Sequence, residues 1–167
     1  MTFRIGSGYD VHAFTQDRPL VLGGVTIPFA YGLAGHSDAD AVIHATVDAL
    51  LGAAALGDIG THFPSNEARW RDQPSAVFLD YTRALLERHQ WRIGNIDATI
   101  VAQRPRLASY IPAMRAHLAR HLHLDEEQVS VKATTTDGLG FTGRGEGIAC
   151  YAVALIERRE ERGSGQS

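Results

Sequence analysis

The sequence predicts an α/β layered fold in a single domain. Segments that alternate like strands take turns with segments of helical periodicity. The 167 residues suffice for one domain with a real core, but not for two comfortable ones. Composition agrees: 44% hydrophobic and 21% charged residues are the balance of a globular chain. The net charge of −3 offers no electrostatic basis for binding nucleic acid or an anionic membrane. No apolar run is long enough to span a bilayer and residues 1–8 lack a signal-peptide core, so a cytoplasmic protein is expected. Cys150, the single cysteine, excludes an internal disulfide and reads as a buried thiol within an apolar run.

Residues 3–12 alternate as a strand, which puts Asp10 and His12 on the same side. Residues 20–27, broken by Gly23-Gly24 and closed by Pro28, predict a hairpin. The stretch Gly35-His36-Ser37-Asp38-Ala39-Asp40 then opens a helix expected to run to Gly57, its C-cap. Ser37 is the expected N-cap, with Asp40 completing a capping box. Val42, Ile43, Val47, Leu50, Leu51 and Ala54 recur as its buried stripe. Asp40, His44 and Asp48 are spaced by four and stack on one face, reading as the wall of a site. Asp58 follows as a loop residue near it, and Pro64 argues against helix in residues 61–64.

Residues 75–89 form the next expected helix, with Val77, Phe78, Tyr81, Leu85 and Leu86 on one face. A strand over 93–102, a loop over 103–107 and a helix over 110–123 follow. His117, His121 and His123 sit among Arg115 and Arg120 with no carboxylate in register, and are expected to face solvent. After an acidic turn at 125–127, residues 129–135 and 148–156 read as strands. The last is apolar on both faces and should be covered on both, one of them by a subunit interface. Residues 1–157 constitute the domain, and 158–167 read as a disordered tail.

Two groups of residues carry chemistry. Asp10, His12 and His44 offer three ligands of mixed N/O type, the pattern of a catalytic zinc site with a vacancy, while a thiolate-rich structural site is excluded for want of a second Cys. Lys132-Ala-Thr-Thr-Thr-Asp137 places three hydroxyls and a carboxylate where a strand gives way to a Gly-rich loop. That suits phosphate oxygens and a hard divalent cation, although Thr is also a common strand residue. Gly138-x-Gly140-x-x-Gly143 matches a dinucleotide fingerprint in letters, but it leads into a strand rather than a long helix and is rejected. Arg144 and Glu146 lie on one side of an extended chain, spaced to pair or to line a cavity.

Taken together, Tyr9-Asp-Val-His12, Gly35-His-Ser-Asp-Ala-Asp40, the run from Asp48 to Gly60, Lys132-Ala-Thr-Thr-Thr136 and the run from Leu139 to Gly147 resemble the 2-C-methyl-D-erythritol 2,4-cyclodiphosphate synthase family. The likeness covers about residues 3–157. It implies a mixed β-sheet with helices packed on one face, assembled as a homotrimer around the sheets with active sites between subunits. The implied reaction converts 4-diphosphocytidyl-2-C-methyl-D-erythritol 2-phosphate to the 2,4-cyclodiphosphate with release of CMP, a step of the non-mevalonate isoprenoid pathway.

The same resemblance implies Zn2+ on Asp10, His12 and His44, and Mg2+ or Mn2+ at Asp137 bridging the diphosphate. Asp10, His12, His36 and Ser37 would touch the substrate, with Asp58, Ile59 and Gly60 around its sugar-like part. Phe63, Pro64, Ser65, Asn66 and Glu67 would form a mobile lid. Ala102, Gln103, Arg104, Pro105, Arg106, Leu107 and Ala108 would enclose the cytosine, and Ala133, Thr134, Thr135 and Thr136 the diphosphate. His36 and Thr135 would steady the transition state, and Phe141 and Arg144 complete the set. The chain departs from the usual family residues at Asp137 (commonly Glu), Gly138 and Arg106 (commonly Lys) and Ser65 (commonly Asp). The same residues also admit a zinc-dependent phosphohydrolase or a non-catalytic trimer that binds metal or an isoprenoid phosphate.

Overall fold

The computed structural model describes residues 2–70 and 73–159. Seven strands are present among the described residues: β1 (Phe3–Thr15), β2 (Leu20–Leu22), β3 (Val25–Ile27), β4 (Gly32–Leu33), β5 (Trp91–Val101), β6 (Val129–Thr134) and β7 (Gly147–Arg158). The α-helices are α1 (Ala41–Ala54), α2 (Ile59–His62), α3 (Ala76–Arg88), α4 (Ile111–Leu122) and α5 (Gly140–Gly143). A mixed sheet runs in the order β4-β1-β7-β5-β6, parallel only between β5 and β6; β2 and β3 pair as the expected hairpin. Among the described residues no helix is long and apolar enough to cross a membrane.

The core lies between one sheet face and the helices. Ile96, Ala98 and Ile100 of β5 and Ile148, Cys150, Ala152, Ala154 and Ile156 of β7 are buried there beneath α1. The expected stripe of α1 is buried throughout. Burial pushes the Cys150 thiol well above its ordinary pKa. α1 approaches β1 closely because Gly6 and Gly8 face it. A Cβ on Gly6 would overlap Ala49 and Ala53, and one on Gly8 would overlap Ala45. Since Asp10 and His12 continue that same face of β1, close approach also brings the helix over them.

The structure corrects several local expectations. The N-cap of α1 is Asp40, not Ser37; its carboxylate accepts the Val42 and Ile43 N–H groups and also those of Gly23 and Gly24 in the hairpin turn. The helix ends before Gly57: Ala55 adopts the left-handed conformation (φ 58°) and its N–H reaches the Gly52 and Leu51 carbonyls. α2 occupies part of the stretch expected to be loop, because Pro64 restricts only the residue before it. On α3, Phe78, Leu85 and Leu86 are buried as expected, whereas Val77 and Tyr81 are exposed, and Leu79 and Thr82 complete the buried face. His117 and His121 are half-buried rather than solvent-facing, and His121 does have a carboxylate partner, Asp80 of α3 at 3.0 Å. Within one chain β7 is covered on one face, and the other, expected to meet a neighbouring subunit, leaves Tyr151 and Val153 open beside Tyr9, Val11, Ile5 and Phe3 of β1. Of the expected tail, Arg158 instead closes β7 and the Arg159 N–H bonds the Gln90 carbonyl, while residues 160–167 lie outside the described residues.

Candidate active site

Asp10 and His12 project from one face of the second half of β1, and His44 descends from the first turn of α1 to meet them. His12 Nε2 lies 2.8 Å from Asp10 Oδ2, and His44 Nδ1 lies 3.1 Å from both. Of the described residues, only these three His, Cys, Asp or Glu side chains form a group of metal-binding size. The triangle suits a small cation: tetrahedral ligands at 2.0–2.1 Å from zinc sit about 3.3 Å apart. Two imidazoles and one carboxylate favour a transition-type divalent ion over Mg2+ or Ca2+. His12 Nδ1–H donates to the Ala34 carbonyl at 2.7 Å, which leaves Nε2 as a lone pair directed at the other two donors.

Electrostatics around the triangle are mutually supportive. Burial pushes the Asp10 carboxyl up, but hydrogen bonds and charge from His12 and His44 outweigh it and hold Asp10 well below the usual carboxylate range. Burial pulls the His12 imidazole down, and its contact with Asp10 more than reverses this. Three electron-rich groups thus face one point that a cation satisfies better than solvent does.

The loop before α1 is tied down by Arg18, a residue sequence reasoning did not single out. Its guanidinium donates to the Gly35 carbonyl at 2.6 Å and to the Ser37 carbonyl. A cavity of about 410 Å³ opens beside the triangle. His12, His36, Ser37 and His44 form one wall; Ile59, Gly60, Phe63, Pro64, Ser65 and Asn66 form the other. Asp58 and Glu67 lie outside the lining. Asp58 caps α2, accepting the Thr61 N–H at 2.8 Å and hydroxyl at 2.7 Å, which lower its pKa. Asp48, half-buried, accepts the Ile59 N–H at 2.7 Å and so positions α2 rather than entering the cavity. Asp40 likewise points away from the site, into the hairpin turn.

Trp70 completes the cavity wall and was not foreseen. It stacks edge-on to Phe63 at 5.1 Å and to Phe78 of α3 at 5.8 Å. Phe63 and Phe78 themselves lie 4.4 Å apart. Aromatic contacts made across irregular chain in this way follow no helical or strand periodicity in the sequence.

A second groove, about 480 Å³, lies at the ends of β5 and β6. Ala102, Gln103, Pro105, Arg106, Leu107 and Ala108 line it together with Ala133, Thr134 and Thr135. Arg104 lines an adjoining recess with Phe29, while Thr136 lies outside both and its hydroxyl contacts Leu139 and Thr142. Asp137 adopts φ 52° and accepts the Thr135 hydroxyl at 3.2 Å. It belongs to no cluster of three metal-binding side chains among the described residues. The Gly138–Gly143 run forms only the four-residue α5, as expected for a loop that is no dinucleotide site. Phe141 is half-buried on it, and Arg144 pairs with Glu146 at 2.6 Å as expected, but across a turn in which Arg144 is helical rather than along an extended chain.

The fold and site define an α/β protein with an Asp-His-His metal-ligand cluster opening into a cleft. The chain belongs to the YgbB family, whose model matches residues 3–157. It is 57% identical over 155 residues to a 2-C-methyl-D-erythritol 2,4-cyclodiphosphate synthase of Syntrophomonas wolfei, covering 93% of this chain and 99% of that one. Among solved structures it resembles IspF of Plasmodium falciparum in complex with CDP (TM-score 0.83, 37% identity, 95% and 97% of the two chains). It also resembles the bifunctional IspDF of Campylobacter jejuni (TM-score 0.92, 39% identity). There it covers 95% of its own length but spans only 43% of the longer chain.

Proposed function

We propose that this chain is a cyclodiphosphate synthase. It converts 4-diphosphocytidyl-2-C-methyl-D-erythritol 2-phosphate to 2-C-methyl-D-erythritol 2,4-cyclodiphosphate and CMP, a phosphorus–oxygen lyase reaction of isoprenoid precursor synthesis in the cytoplasm. The observation that carries the reading is the convergence of Asp10, His12 and His44 beside a cavity, in a chain so similar to proteins of that name. Asp10, His12 and His44 would hold Zn2+, and Asp137 would hold Mg2+ or Mn2+ against the diphosphate. Such ions supply Lewis-acid polarisation of phosphoryl oxygens and neutralise the leaving phosphate.

The chain's own part is binding and orientation. The nucleophile is the substrate's 2-phosphate, whose second pKa of about 6 leaves it largely ionised at neutral pH. Its oxygen bonds to the β-phosphorus while the bond from that phosphorus to the CMP oxygen breaks, so no side-chain base is required. His36 and Ser37 hold the methylerythritol end, helped by Ile59, Gly60 and Asp58, under a lid of residues 63–67. The groove lined by Ala102, Leu107 and Thr134 takes the cytidine end, and Thr135 and His36 stabilise charge on the equatorial oxygens. Holding both ends of one molecule supplies a proximity advantage of up to roughly 7–11 kcal/mol.

The two grooves share no lining residue within one chain. That supports an arrangement in which the metal-side groove of one subunit meets the nucleotide groove of the next. The bare, aromatic face of β1 and β7, with Tyr9 and Tyr151 stacked at 4.5 Å, supports assembly of three chains around that face. Turnover in 18O-labelled water tests the reaction. Cyclisation puts no solvent oxygen into the product; hydrolysis by a phosphohydrolase puts one in, and a non-catalytic trimer releases no CMP.

A further inference from the structure

Ser75 immediately precedes α3 in the N-cap position, yet its hydroxyl makes no cap hydrogen bond, the usual duty of Ser there. It is turned inward and fully buried. Its Oγ lies 2.9 Å from His44 Nε2 and hydrogen-bonds Asp38 Oδ1, while its backbone N–H donates to Asp38 Oδ2 at 2.9 Å. A carboxylate only accepts, so the Ser75 hydroxyl proton is committed to Asp38. Toward His44 the same oxygen is left as an acceptor, which puts the imidazole proton on Nε2. Ser37 Oγ accepts the Ala39 N–H at 3.2 Å and stands 3.1 Å from the same Nε2, a second oxygen on that side. The lone pair of His44 is thereby confined to Nδ1, the atom that faces Asp10 and His12.

We propose that Ser75 and Asp38 are positioning residues that set the tautomer and ring orientation of His44, and through it the affinity of the three-ligand centre. The proposal rests on the reading of Asp10, His12 and His44 as a metal site. Asp38 is itself tied to the chain entering α3, its N–H reaching the Gln73 carbonyl. The His44 ring is therefore braced from outside α1.

The test measures zinc affinity of the full chain by competition with a chromogenic chelator, together with the visible absorption of the cobalt-substituted protein. Ser75→Ala is expected to weaken zinc binding about 10- to 100-fold and to alter the cobalt bands, with the circular dichroism of the metal-free protein unchanged. Ser75→Thr, which keeps the hydroxyl, is expected to recover most of the affinity. Wild-type affinity and cobalt spectrum in folded Ser75→Ala protein overturn the proposal. If that variant does not fold, wild-type affinity in Asp38→Asn does so. A wild-type chain that binds no zinc overturns the metal reading itself, and the proposal with it.

Discussion

Gly8 of β1 packs directly against the carbonyl of Ala45 on α1, with no room for a side chain between them. Ala45 is the neighbour of His44, and Gly8 lies two residues before Asp10, so the packing that builds the core also sets the spacing of the ligands. Replacing Gly8 by Ala should lift α1 from the sheet. A loss of about 1–3 kcal/mol, or more, in urea denaturation is expected, together with weaker zinc uptake than an equally destabilised core variant shows.

His44→Ala removes one of three ligands. Zinc retained after gel filtration should fall to background and CMP release with it, while far-ultraviolet circular dichroism stays native. Full turnover in metal-free His44→Ala protein would contradict the role given to this residue.

Asp40 yields a pH prediction. Complete burial and the neighbouring Asp38 charge push its carboxyl up to about 6, against hydrogen bonds from Gly24, Ile43 and Gly23 N–H groups that pull it down. A folded-state pKa above the unfolded value means that the folded protein holds the proton more tightly. The resulting stability is present in full below about pH 4 and is lost as pH rises through 6. The shift corresponds to roughly 3 kcal/mol. The stability difference between wild-type and Asp40→Asn protein should accordingly shrink by about that amount from pH 4 to pH 7, measured by urea midpoints. A difference that does not change with pH would contradict it.

The bare face of β1 and β7 predicts assembly. Val153→Asp puts a charge where neighbouring chains would meet. Sedimentation should shift from three chain masses to one, with CMP release lost, since the proposed site would draw one groove from each of two chains.

Local pattern was enough to read the long strands, the hairpin and the three main helices, because each rests on periodicity or turn residues; the grouping of Asp10 and His12 with His44 rested on their ligand chemistry, whereas the i,i+4 partners Asp40 and Asp48 turned elsewhere. What escaped was decided by distant partners. Asp40 displaced Ser37 as the cap because Gly23 and Gly24 offer it two further N–H groups from the hairpin. Ala55 ended α1 in a left-handed turn that sequence would assign to Gly57. His121 found its carboxylate on another helix. Arg18, Trp70 and Ser75 act on the site only through contacts with chain 7 to 31 residues away, and nothing in their immediate neighbours announces it.

The most direct test of the central claim is CMP release from the cytidyl diphosphate substrate by protein stripped of metal and then reloaded. Stripped protein should be inactive, and activity should return in proportion to zinc bound at Asp10, His12 and His44, up to one ion per chain. Undiminished CMP release by the stripped protein, or zinc bound at that stoichiometry with no CMP released, would contradict the account.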